Sequence, residues 1–254
     1  MEMIFVIDIH CHIEPDEFSN VDEILEMCKN EGVEKIIVSG YDLKSCNEAI
    51  DLASKYDMIY ATIGYLPEVL QDKKNNSLEK LEQFLQNPKV VGIGEIGLDY
   101  YWFKDNKEEQ KELFIKQINL AKKYNKPIVI HCREAIQDCY DIVKEYDVKA
   151  IMHCYSGSLE MAKRFTDLGV YISIGGVSTF KNSKNIKEVI KELPLSYIVL
   201  ETDSPYLTPE PFRGKKNYPY FIPLIAKNIA EIKGISVDEV ENTTTNNANR
   251  LFDF

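Results

Sequence analysis

Histidine is scarce in this chain, with four among 254 residues, and tryptophan occurs once. The six cysteines show neither C-x-x-C pairing nor the spacing of a disulfide framework, so reduced thiols in a cytosolic protein are the simple reading. No apolar run approaches the ~20 residues needed to cross a bilayer, which leaves no expected membrane attachment. The N-terminus lacks a basic segment, and Asp8 and His10 interrupt its apolar stretch, which argues against a signal peptide and for the cytoplasm. Basic charge is also short. Lys and Arg number 30 against 41 acids, a net charge of −11, which argues against coating nucleic acid through a broad basic surface. A small cationic site stays compatible with that charge, because a site is local.

What is present is regular. Short, near-continuous apolar runs at 4–8, 35–39, 59–64, 90–95, 128–131, 150–153, 170–174 and 198–201 read as strands covered on both faces. Amphipathic segments separate them. Residues 105–125 carry Leu113, Phe114, Ile118 and Ala121 along one face, Gly32 and Gly169 sit where helices should stop, and Ser236 with Glu239 forms a capping-box pattern. Eight strand–helix units without a linker predict one (β/α)8 barrel over residues 1–254, with an open doubly wound sheet as the alternative. Candidate ligands at the ends of the first, fourth, fifth, sixth and eighth strands favour the barrel, since only a closed ring brings those ends together.

All four histidines fall where a predicted strand runs out: His10 and His12, His131, and His153. Strict alternation would send Asp8, His10 and His12 to one side of the first strand and Ile9 and Cys11 to the other. Two imidazoles at i and i+2 can grip one ion. Glu95, between Gly94 and Gly97, can be approached closely by backbone and can bridge two cations. Glu201 and Asp203 point the same way on the eighth strand. Asp203, nearer the mouth, is the better ligand and proton acceptor, and the deeper Glu201 is suited to orienting a ligand from behind, as is Asp8. Asp99 is expected in a loop or in a similar supporting role. The set of four imidazoles with Glu95 and Asp203 suits two divalent ions, which would leave a cationic centre able to attract phosphate and supply a nucleophile at neutral pH. Cys11, Cys132 and Cys154, each beside a histidine, read as small buried fillers.

The motifs Asp8-Ile-His-Cys-His12, Gly94-Glu-Ile-Gly-Leu-Asp-Tyr100, His131-Cys-Arg-Glu-Ala135, His153-Cys-Tyr-Ser-Gly157, Glu201-Thr-Asp-Ser-Pro205 and Arg213-Gly-Lys215 resemble, in order and spacing, the TatD family of metal-dependent deoxyribonucleases in the amidohydrolase superfamily. The closing segment Asn247-Ala-Asn-Arg-Leu-Phe252 is similar too. The resemblance implies that His10, His12, Glu95, His131, His153 and Asp203 hold the metals, with Glu95 and Asp203 acting in catalysis. It also implies 3′→5′ exonuclease activity on DNA ends, single-stranded ends being the expected substrate, without an obligate protein partner. Four imidazoles suit zinc, manganese, iron or nickel, whereas the resemblance implies magnesium-supported activity.

Arg133, Arg213, Lys215 and Tyr100 are candidate substrate contacts. Arg133 can instead form an ion pair at a helix start, and Arg213 and Lys215 can be solvated. The aromatic run from Tyr100 to Phe103 can either stack on bases or pack its loop onto the barrel. One stretch departs from the family: Gly64-Tyr-Leu-Pro-Glu68 stands where Gly-x-His-Pro-His is usual, which bears on substrate preference. Tyr218 replaces an acid common at its position. The alternatives are an amidohydrolase-type enzyme acting on a small amide, ester or lactone, and a non-catalytic nucleic-acid- or metal-binding protein. Glu95, in place of the modified lysine many such barrels use, favours the nuclease branch.

Overall fold

The computed structural model describes residues 5–71 and 76–254. Its strands are β1 (Val6–Cys11), β2 (Val33–Ser39), β3 (Ile59–Ile63), β4 (Val90–Asp99), β5 (Ile128–Arg133), β6 (Ala150–Met152), β7 (Tyr171–Ile174) and β8 (Ile198–Leu200), all parallel and in sequential order. The helices between them are α1 (Val21–Asn30), α2 (Leu43–Lys55), α3 (Leu78–Phe84), α4 (Lys107–Lys123), α5 (Ile136–Tyr146), α6 (Leu159–Asp167) and α7 (Lys184–Glu192), and α8 (Ile222–Lys233) and α9 (Val237–Phe252) close the chain. The strands form the barrel that their spacing predicts. The first strand runs from Val6 to Cys11 rather than over 4–8, and Ile4 lies outside the described residues.

The seam between first and last strands is drawn together at its upper end. His12 N–H donates to the Ser204 carbonyl at 2.7 Å, and Asp203 N–H to that of His10 at 3.0 Å. The Asp8 carboxylate spans the same seam, accepting from Thr202 N at 2.9 Å and Thr202 Oγ1 at 2.5 Å. Asn217 then ties down the chain after β8 by donating to the carbonyls of Thr202 and Tyr206, at 2.8 and 2.6 Å.

Two apolar clusters hold the fold. The larger lies between strands and helices. The smaller fills the barrel, where Ile7, Ile9, Ile37, Val91, Val129, Ile151 and Val199 meet Ala248, Leu251 and Phe252 of α9. Each such valine or isoleucine contributes about 1.5–3 kcal/mol by leaving water. This layer also sets orientation for what lies above it. With Val129, Ile151 and Val199 inward, a period of two brings His131, His153 and Glu201 inward one step higher. Helix ends follow the sequence signals: Ser236 accepts from Glu239 N at 3.1 Å, and Gly169, at φ +78°, follows α6 in a conformation that glycine adopts without Cβ strain.

Alternation fails on β1, and the failure matters. Ile7 and Ile9 face the barrel interior, whereas Cys11 and Ile13 belong to the outer cluster. The pairing explains this: Asp8 opposes Ile36 and Cys11 opposes Val38, so β1 spends one more residue than β2 over that interval. This is a β-bulge. It separates Asp8 from His10 and His12, contrary to the expectation that the three share a side.

Candidate metal centre

A second bulge shapes β4. Ile93 opposes Ile128 and Ile96 opposes Ile130, so Gly94 and Glu95 occupy a step that one residue would fill. Glu95 is aimed into the barrel mouth, and its N–H is held by the Gly40 carbonyl at 2.9 Å. The flanking glycines allow the close approach to β5. A Cβ on Gly94 would lie 2.6 Å from that of Val129, and one on Gly97 2.0 Å from the His131 carbonyl oxygen.

The six residues proposed from sequence as ligands converge. The Nε2 atoms of His10 and His12 lie 3.2 Å apart, 3.6 and 3.8 Å from Glu95 Oε2 and 3.8 and 3.7 Å from Asp203 Oδ1. The other Glu95 oxygen, Oε1, faces His131 Nδ1 at 2.9 Å and His153 Nε2 at 3.7 Å. His153 Nε2 is also 3.9 Å from Asp203 Oδ1, and its ring stacks on that of His10 with centroids 3.7 Å apart.

Each imidazole is also held from behind. His12 Nδ1 bonds the Ser39 carbonyl at 3.0 Å, and a carbonyl only accepts, so the proton sits on Nδ1 and Nε2 presents a lone pair. His153 Nδ1 is held by Glu201 Oε2 at 2.9 Å, and His131 Nε2 by Asp99 Oδ2 at 3.1 Å. His10 Nδ1 meets Ser39 Oγ at 2.9 Å, which continues to Thr62 Oγ1 at the same distance. Imidazole lone pairs and carboxylate oxygens therefore face one another across a buried space. Acceptors facing acceptors need a cation between them.

In the metal-free chain protons take that place. Burial opposes charge on His131, but the hydrogen bonds it donates to Asp99 and Glu95 overcome that and raise its pKa to about 9. Burial likewise works against His153, and Glu201, Glu95 and Asp203 together raise it to about 10. Asp203 is pushed up to about 6 by burial, against the pull of His153 and His12. Burial also disfavours the charged form of Glu95, but the histidines, His153 foremost, hold its carboxyl well below the usual range. His10 is driven well below its ordinary value by burial and then by His153.

Among the supporting residues, Glu201 is hydrogen-bonded to the His153 ring and Asp99 to that of His131. Asp8 differs. Its carboxylate serves the seam and the His10 backbone, touches no ligand ring, and is raised to about 8 by burial. Ser39, Thr62 and Ser173 were missed by sequence reasoning, although each is a small hydroxyl interrupting the upper half of an apolar strand. Ser173 Oγ donates to Glu201 Oε2 at 2.6 Å.

The substrate contacts divide. Arg133 lines the cleft of about 400 Å³ above the ligand residues, and its guanidinium lies 4.2 Å over the Tyr101 ring and 5.5 Å from that of Trp102. It enters no ion pair among the described residues; the rings hold it instead. Tyr100 is turned away, buried with its hydroxyl donating to Asp138 at 2.6 Å, because β4 continues to Asp99 and its pleat faces the next residue toward the helices. Arg213 packs over Phe180 at 4.1 Å and Lys215 lies near Phe212 at 5.7 Å, and neither borders the cleft. Leu66 and Glu68 do border it. Tyr218 stacks on Tyr220 at 4.9 Å, away from the ligand residues. Cys11 is buried in the outer cluster as expected, but Cys132 and Cys154 are partly exposed and line a cavity of about 180 Å³ beside His153.

A parallel barrel whose strand ends gather His10, Glu95 and His153, and His10, His12 and Asp203, into groups that could hold a metal ion has the arrangement of a metal-dependent hydrolase. The chain belongs to the family of TatD-related DNases, whose pattern matches residues 7–253. It is 43% identical over 249 residues to the metal-dependent hydrolase YabD of Bacillus subtilis, covering 96% of this chain and 98% of that one. The structure of YjjV, a TatD homologue from Escherichia coli, superposes with a TM-score of 0.92 at 34% identity over the whole of both chains. A TatD-family hydrolase from Entamoeba histolytica superposes at 0.86 with 27% identity over 99% of each. No described helix is long and apolar enough to cross a membrane.

Proposed function

We propose that the chain is a phosphodiesterase that shortens single-stranded DNA from its 3′ end, using two divalent ions. The observation that carries this reading is the division of Glu95, with Oε2 toward His10 and His12 and Oε1 toward His131 and His153. His10, His12 and Asp203 would hold one ion and His131 and His153 the other, with Glu95 between them. The nitrogen-rich donor set fits zinc, manganese, iron or nickel better than magnesium. Bound by these residues, such ions would supply a water whose pKa is lowered toward about 7 and a polarised scissile bond.

The protein's own groups complete the chemistry. Asp203 Oδ1, 3.7 Å from His12 Nε2 and 3.9 Å from His153 Nε2, is the carboxylate at the mouth placed to accept the proton of an attacking water. Arg133, held over the Tyr101 ring, offers a cation to a phosphate oxygen beside His131. The exposed faces of Tyr101 and Trp102 suit unpaired bases. The DNA assignment is supported by the family to which the chain belongs. The compact cleft, with Glu68 at its edge, keeps a small amide, ester or lactone as the second reading.

The test uses protein stripped of metal and reloaded with single ions, offered 3′-ended single-stranded DNA and a panel of small amides, esters and lactones. Stepwise shortening from the 3′ end is expected. Intact DNA with every ion, beside turnover of a small substrate, would reject the nuclease reading.

A further inference from the structure

A second cleft of about 470 Å³ adjoins the first, walled by Leu66, Glu68, Trp102, Phe103, His131 and Arg133. Leu66, Glu68, His131 and Arg133 border both clefts, so a substrate reacting at the ligand residues can extend into the second one. Building on the phosphodiesterase reading, we infer that this side cleft holds the terminal nucleoside of the strand and that Glu68 reads its free 3′-hydroxyl, accepting that hydrogen bond and turning away a terminal phosphate.

The size of the cleft is that of a small-ligand site, and its walls have the right division of labour. Trp102 is 65% exposed and presents a ring to a flat partner, while Leu66 and Phe103 supply apolar contact. Glu68, an exposed residue of the short 3-10 turn Pro67–Gln71, makes no hydrogen bond or ion pair among the described residues. The fold makes no use of that carboxylate, and its setting disfavours it: partial burial and then Asp42 and Glu95 raise its pKa. An ionised carboxylate only accepts hydrogen bonds, so its complement is a donor. At the end of a DNA strand the sugar donor is the free hydroxyl. A terminal phosphate would instead add negative charge to a cleft lined by the carboxylates of Glu68 and Asp99, whose Arg133 is expected to engage the scissile group.

Two oligonucleotides of one sequence, ending in 3′-hydroxyl or 3′-phosphate, test this with metal-loaded wild type and Glu68→Gln. Wild type is expected to favour the hydroxyl end at least tenfold in kcat/KM, roughly what one added charge beside a carboxylate in a partly wet cleft produces. In Glu68→Gln the ratio is expected to fall below about threefold, mainly through faster cleavage of the phosphate end, with metal content unchanged. Equal rates by wild type, an undiminished ratio in the variant, or a change in base preference with the end preference intact would each overturn the assignment while leaving the nuclease reading in place. Cleavage of neither end would overturn both.

Discussion

Replacing Glu201 with glutamine changes one proton-bearing group and nothing in shape, which makes it the sharpest probe of how the imidazoles are prepared. Glu201 is fully buried and accepts from Cys154 N at 2.7 Å through Oε1, and from Ser173 Oγ at 2.6 Å and His153 Nδ1 at 2.9 Å through Oε2. A glutamine must keep its oxygen toward the Cys154 N–H, which can only donate. Its amide nitrogen then faces Ser173 and His153. The serine hydroxyl can turn and accept, but His153 can accept only by giving up its Nδ1 proton and keeping the one on Nε2, the atom that faces Glu95 and Asp203. That proton occupies the lone pair a metal needs. Loss of such an orienting partner typically weakens metal affinity about 10–100-fold, or about 1.4–2.7 kcal/mol. Isothermal titration of metal-stripped Glu201→Gln with zinc or manganese reads it directly. Ser173→Ala is the control, since it removes a donor to Glu201 and leaves the carboxylate accepting, so its affinity should change less than about threefold, below the usual range for such partners. Wild-type affinity in Glu201→Gln, with the fold intact by thermal melting, would refute the tautomer argument.

Two other outcomes are expected. Asp8→Ala leaves the buried Thr202 N–H without its side-chain acceptor and opens the β1–β8 seam, so urea unfolding of the metal-free protein should show a loss of about 1–3 kcal/mol; unchanged stability would remove Asp8 from the seam. The pH dependence of the metal-free protein follows from His131 and His153, whose folded pKa values of about 9 and 10 lie above the ordinary value of 6.5. Their contribution to stability is complete below pH 6.5 and is lost as pH rises through 9 to 10, so the melting temperature should fall across that window. Metal affinity should rise over the same window, because binding must displace those protons; a flat metal-free melting profile would contradict the proton-filled centre.

The barrel was legible because parallel strands covered on both faces must be apolar throughout, and eight such runs alternating with amphipathic segments leave few architectures. The convergence of the histidines, Glu95 and Asp203 was legible for a related reason. A strand that is apolar until its last residue and then turns to histidine or glutamate has its polar group at the barrel mouth, and His131 and His153 sit one pleat above Val129 and Ile151 as that logic requires. The supporting hydroxyls were less visible, since Ser39, Thr62 and Ser173 are small enough to pass as tolerated polar residues in a buried strand. Tyr100, Arg213 and Lys215 show the limit of reading by proximity in sequence. Each is near a motif, yet loop and pleat geometry carry all three away from the cleft.

Asp8 failed as a support for the ligand rings for a deeper reason than any of these. The inward apolar layer holds Ile7 and Ile9, and the polar cluster above it holds His10 and His12, so odd positions must face inward low on β1 and even positions high on it. A uniform strand cannot meet both demands, because its period of two fixes one parity throughout. The added residue between Asp8 and Cys11 reverses the parity at the boundary between apolar plug and polar mouth. It also turns Asp8 out of the centre, where Thr202 supplies its partners. β4 has its own extra step at Gly94 and Glu95, at the level where the Glu95 carboxylate meets the four histidines. Nothing in a run of apolar letters marks where a strand takes on an extra residue. Only the simultaneous need to fill the barrel and to place ligands above the filling locates it, and that need becomes visible once the interior neighbours of Ile9 are known.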